Sequence, residues 1–174
     1  EFQFTGTHAE KVRSLTSNPF VQDQKGRGVF LRNIDVLLTA PLIGLTYKKK
    51  SDKDNYDVQP AKINLEQLQS RKDDLMFVLS LIALNSRDNI KSEERIERAF
   101  KKLYIENENE EIYNEFIGYL LGGIDYLYNE LLSNAKSFDE VISRYNNFLK
   151  VFSSLYPVDG SIKESIFDQN SDNL

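Results

Sequence analysis

Apolar residues recur every three to four positions through most of the chain, the period of helices with one face turned to a core. The clearest run is Phe138, Val141, Ile142, Tyr145, Phe148, Leu149, Phe152 and Leu155, the seam of a bundle helix that Pro157 ends. Ser137, with Glu140 three residues on, supplies a capping box at its start. Asn64 and Gln67 open a second helix reaching to about Leu84, striped by Leu65, Leu68, Leu75, Leu79 and Ile82. After Asp74 its apolar surface widens through Met76, Val78 and Leu81, so its second half belongs at the centre of the fold. Ser92 is expected to cap a third, in which Ile96, Ala99, Phe100 and Leu103 fall at core spacing. The longest run, about Glu110 to Ser133, carries Tyr113, Tyr119, Tyr126 and Tyr128, which cannot all face inward from one helix.

The first third reads less simply. Thr7 and Glu10 form a capping box ahead of a short helix over about 8–15, stopped by Ser17-Asn18-Pro19. A loop spans 18–28. Phe30, Ile34, Leu37, Leu38, Pro41 and Leu42 then predict a buried helix over 29–47, with Pro41 kinking it or starting a second one. A β-hairpin around Ala40-Pro41 is the rival reading. Residues 48–60 are polar and charged and read as a flexible connection. Gly118 and Gly122, four apart in a helix, point to a bare face on which another helix comes close. Ser161 and Glu164 precede Ile166 and Phe167 in a tail that is either a short docked helix or a frayed end. The prediction is an all-α fold, an irregular bundle of six or seven helices without a sheet. Residues 1–157 form one helical domain and 158–174 a C-terminal tail.

A chain of 174 residues suits one domain with a core of its own. The absence of cysteine excludes a disulfide framework, a thiol nucleophile and a thiolate metal site, and favours a reducing, cytoplasmic setting. The most apolar stretch, Val36 to Leu45, is too short and too interrupted to span a bilayer, so no membrane role is expected. No signal-peptide pattern precedes the fold; because the sequence starts at Glu1, a removed leader stays open. The net charge of −5 is unevenly spread. Residues 1–103 hold 18 basic and 14 acidic side chains, a net +4, and residues 104–174 hold 4 and 13, a net −9. This gives two differently charged solvated faces, or a first half that meets a polyanion.

Candidate chemistry is sparse. His8 is the single histidine and sits at a helix start, where the helix dipole disfavours its cationic form. One histidine without cysteine cannot build the usual zinc site, and no Gly-x-Ser-x-Gly elbow presents a nucleophile. Glu93, Glu94 and Glu97 make an E-E-x-x-E run of the kind that all-helical nucleotide pyrophosphatases use for magnesium, but no matching Glu-x-x-Asp run follows. Interleaved Arg95, Arg98, Lys101 and Lys102 suit a solvated helix face instead. No phosphate-binding glycine motif of ATP or dinucleotide folds is present. Lys25-Gly26-Arg27-Gly28, Arg32 and Lys48-Lys49-Lys50 remain as a candidate anion or nucleic-acid patch, made of Lys25, Arg27, Arg32, Lys48, Lys49 and Lys50.

These features lead to a non-catalytic interaction protein, an adaptor or accessory subunit with a protein partner or a second copy of itself. No catalytic residue, metal or cofactor is assigned. Nucleic-acid or phosphate binding through the basic first half, weak because the whole molecule is acidic, is the alternative. A magnesium-dependent nucleotide hydrolase on Glu93, Glu94 and Glu97 is the third reading.

Overall fold

The computed structural model describes residues 1–21, 26–86, 90–105 and 108–156. Its helices are α1 (Gly6–Thr16), α2 (Asn33–Thr46), α3 (Leu65–Ser70), α4 (Lys72–Asn85), α5 (Ser92–Phe100), α6 (Glu110–Leu131) and α7 (Phe138–Leu155). A short 3-10 turn, Lys102–Tyr104, follows α5. One small ribbon joins β1 (Phe2–Phe4) to β2 (Ala61–Ile63), antiparallel, with Phe2 opposite Ile63 and Phe4 opposite Ala61. The all-α irregular bundle expected from periodicity is the fold, with that ribbon added. Phe4, Ala61 and Ile63 turn inward from it and join the core.

The core is organised around α2 and α6, the most extensively packed helix pair. Ile112, Phe116, Leu120, Ile124, Leu127 and Leu131 are buried along α6, and Ile34, Leu37 and Ile43 along α2. α1 and α4 pack against both of these helices, α5 lies on α4, and α7 lies on α6. Where α2 crosses α6 the backbones touch. A β-carbon on Gly44 would sit 2.1 Å from the carbonyl oxygen of Tyr119, and one on Gly123 1.8 Å from that of Ala40. Gly122 does lie on a bare face, but an extended segment fills it rather than a helix, with the Lys49 carbonyl 2.3 Å from where a β-carbon would be. The Ser51 N–H donates to the Gly118 carbonyl at 3.1 Å, so residues 49–51 run across α6.

Several local expectations change for physical reasons. α2 begins at Asn33, not Val29, and runs unbroken through Pro41. Its burial between α6, α1 and α4 outweighs one missing backbone donor. The Asn64–Gln67 capping box is present in both directions, at 2.8 and 3.3 Å, but the helix it opens stops at Ser70 and α4 starts anew at Lys72. Leu65 is accordingly exposed. Thr7 does not cap α1: Thr5 holds the cap position and the Thr7 side chain turns to Asp54 instead. Lys91, not Ser92, precedes α5, and no side chain caps it. Residues 48–60 lack helix and strand yet are tied to α1 and α6 by the contacts of Ser51 and Asp54. Among the described residues no helix is long and apolar enough to cross a membrane. The tail at 158–174 lies outside the described residues.

Candidate interaction surface

The candidate basic residues separate into two groups. Arg32 holds the cap position of α2 and Lys48 to Lys50 follow its other end, so a 14-residue helix, about 20 Å long, lies between them. Arg32 pairs with Asp35 at 3.1 Å. Arg27 is exposed in a loop that bridges to Ser17 at the end of α1. There Gly28 is needed for close packing, since a β-carbon would meet the Leu15 carbonyl at 2.5 Å. The carbonyl end of a helix favours cations over phosphate. Lys25 lies outside the described residues. Lys48, Lys49 and Lys50 are exposed, and the Lys50 ammonium sits 4.4 Å from the centroid of the Tyr119 ring.

Glu93, Glu94 and Glu97 are exposed on α5, and Glu97 pairs with Lys101 at 3.2 Å. Among the described residues no group of three or more histidine, aspartate or glutamate side chains is placed to hold a metal ion.

His8 differs from its expected setting. It is buried on α1 between two carboxylates, with Nε2 3.1 Å from Asp125 and Nδ1 3.7 Å from Asp54, although neither ring nitrogen makes an aligned hydrogen bond. The Asp54 carboxylate accepts from the Thr7 N–H at 3.0 Å and from its hydroxyl, supplying the start of α1 with a negative charge from 47 residues away. Sequence spacing carries no signal of that pairing. Asp125 accepts from Lys11 at 2.7 Å and from the Ser51 hydroxyl at 2.6 Å. Because the serine donates to Asp125 and not to His8, no serine–histidine relay is formed. The cluster ties α1, residues 51–54 and α6 together.

Burial pushes the Asp125 carboxyl up, but the contacts from His8, Lys11 and Ser51 outweigh it and hold the group well below the usual carboxylate range. A carboxyl whose acidity is increased by folding stabilises the fold above its unfolded value, near 4, and that stabilisation is lost as the pH falls further. Asp125→Asn should therefore lower stability at pH 7 relative to the parent chain, and the gap should narrow below about pH 4. Urea unfolding of both proteins at pH 7 and pH 3 checks this; a gap that stays constant would show that the carboxylate charge is not what matters.

Among the described residues, α7 and α5 each present several apolar side chains to water. Along α7 only Val141 is fully buried, while Phe138, Tyr145, Phe148 and Phe152 lie half-buried on the core. Ile142, Leu149, Val151, Leu155 and the following Tyr156 are exposed. Ser137 caps the helix by accepting from the Glu140 N–H, and Arg144 anchors it by donating to the Ser133 carbonyl at 2.7 Å and to Glu140 at 2.6 Å. Beneath it an aromatic series runs from Tyr126, stacked on Tyr47 at 4.3 Å, through Phe148 and Phe152 to Tyr156. Burial, then Glu130 and Tyr47, push the Tyr126 phenol up to about 12, so it stays protonated. A groove of about 470 Å³ opens between α2, α4 and α7, walled by Leu42, Leu45, Leu81, Phe152 and Tyr156. The Tyr156 and Thr46 hydroxyls meet across its edge at 3.0 Å.

On α5 the predicted core face is half reversed. Ala99 and Leu103 are buried, but Ile96 and Phe100 point outward, and Arg98 takes the inward place. Its guanidinium lies 2.8 Å from Glu115 of α6, which also accepts from the Ser86 hydroxyl. Both partners of this pair are buried. On α6 the four tyrosines divide as expected: Tyr119 is buried, Tyr126 and Tyr128 are half-buried and Tyr113 is exposed.

Residues 5–149 match the family described as DNA sulphur modification system-associated protein 4. No curated protein and no solved structure matches the chain. Since the match takes in most of the chain, this protein belongs to that family.

Proposed function

We propose that this member of the DNA sulphur modification system-associated family is a non-catalytic accessory subunit of such a system, working through protein contacts on the α7 side of the bundle. The observation that carries the reading is the flank of α7 beside its groove, where Ile142, Leu149 and Tyr156, at seven-residue spacing, stand in water next to an apolar hollow. Surface apolar residues scattered singly need no explanation, but a series along one helix bordering a groove is the anatomy of a protein interface. Tyr156 at the groove's mouth combines a large apolar ring with a polar tip, as interface anchors do.

A tagged chain co-expressed with the proteins of the DNA sulphur modification system from the same genome should retrieve at least one of them. Ile142→Glu with Leu149→Glu should reduce that retrieval about tenfold or more while the circular dichroism spectrum stays helical, because both side chains are solvent-facing. A parent chain that retrieves none of these proteins, or a double variant that retrieves them equally well, would sink the reading.

Nucleic-acid binding through Lys48, Lys49 and Lys50 is the second reading, supported by their exposure and by the DNA-linked family. With Arg27 and Arg32 about a helix length away, three lysines set a salt slope of no more than about three units. Weak binding is what such a group supports.

A further inference from the structure

We infer that the groove between α2, α4 and α7 is covered by the chain's own C-terminal segment, which seats Ile162, Ile166 and Phe167 against Leu42, Leu45 and Leu81. The groove lies where three helices end together. Leu42 and Leu45 come from near the end of α2, Leu81 from near the end of α4 and Phe152 from the last turn of α7. All four are half-buried, so each leaves apolar surface in water that a packed neighbour would remove, and about 470 Å³ is open above them. The chain passes this hollow as it leaves α7. Tyr156, the residue after that helix, forms part of the groove's wall, and its hydroxyl meets that of Thr46 at 3.0 Å. From there 18 further residues follow.

Those residues carry what the groove needs. Pro157 stops α7, and Asp159-Gly160 is a turn pair of the kind that sends a chain back on itself. Ser161 and Glu164 then have the spacing of a capping box. Ile162 and Ile166 stand four apart with Phe167 beside them, an apolar edge in the otherwise polar stretch 161–168. Residues 157–174 hold four acidic side chains and one basic one, while Lys48 is the one charged side chain among the described residues lining the groove. The tether decides between this occupant and others. A segment joined to the groove's wall by a linker of a few residues is present there at about millimolar effective concentration, so modest contacts suffice. A second copy must supply its whole affinity from contacts. Ile142 and Leu149, which carry the α7 reading, do not line the groove, so the two inferences share Tyr156 and are otherwise independent.

The chain contains no tryptophan and no cysteine, so one reporter and one label can be placed in the full chain without background. Phe167→Trp puts the reporter in the segment. Asn85→Cys, exposed on the groove's wall, carries a nitroxide that quenches tryptophan at close approach. Lys62→Cys carries the same label beside the far end of α2, where the Lys62 carbonyl accepts from Asn33. The tryptophan emission should be blue-shifted from that of a solvated tryptophan. It should be quenched from residue 85 and not from residue 62, to the same degree at low and high protein concentration. Ile162→Asp with Ile166→Asp leaves every described core residue in place, and it should weaken docking about tenfold or more and release the quenching. Solvated emission in the reporter chain, equal quenching from both labels, or quenching at residue 85 that survives the two aspartates overturns the inference. So does quenching that rises with concentration, since the segment of a second copy would then be the occupant. The α7 reading is judged on co-purification with the modification proteins and stands or falls separately.

Discussion

Gly123→Ala is expected to lower stability by about 2–3 kcal/mol, whereas Gly118→Ala, on the same helix, should raise it by about 0.5–1 kcal/mol. Propensity alone treats the two alike, since alanine is the better helix former at either site by about 1 kcal/mol. The difference lies in what the new methyl group meets. At Gly118 it would rest 3.6 Å from the flexible Lys50 side chain, an ordinary contact. At Gly123 it would fall 1.8 Å from the Ala40 carbonyl oxygen, so α2 and α6 would have to part along the centre of the core. Gly122→Leu should behave like Gly123→Ala or worse, because its obstacle is the Lys49 backbone rather than a side chain. Urea unfolding of the three variants, with unchanged denaturant slopes, measures this. Equal shifts for Gly118→Ala and Gly123→Ala would show that the crossing is looser than its geometry.

That contrast marks where the sequence is readable and where it is not. The glycine spacing in α6 announces a close approach, but nothing local says that an extended segment meets Gly122 while α2 meets Gly123. Helix periods, the Asn64–Gln67 box and the Ser137 half of the box expected with Glu140 are legible because each interaction spans three or four residues, although the Glu140 side chain reaches the Lys136 N–H rather than that of Ser137. The start of α1 is not, because its negative partner, Asp54, lies in what reads as a polar connection. His8 follows the same rule. Its neighbours Asp54 and Asp125 come from two separate segments, which no local spacing announces. The basic candidates show the converse: Arg32 and Lys48 to Lys50 look like neighbours until a straight helix is placed between them. On α5 the periodicity finds the buried Ala99 and Leu103 but misassigns Ile96 and Phe100, because the buried partner of Arg98 stands 17 residues away on α6.

Glu115→Ala is the substitution expected to cost most, about 3–5 kcal/mol, since it strands the Arg98 guanidinium in the interior. Arg98 is 3% exposed and its second terminal nitrogen, Nη1, lacks a hydrogen bond, so little water reaches the guanidinium to replace what Glu115 supplies. Arg98→Met should cost less, because a buried glutamate left alone can take up a proton and become neutral, which a guanidinium cannot do. The pair replaced together, Arg98→Met with Glu115→Leu, should return most of the stability and stay within about 1 kcal/mol of the parent, as apolar substitutes fill the space without desolvating charge. A double variant as unstable as Glu115→Ala alone would show that the loss comes from packing around Glu115 and not from the unpaired cation.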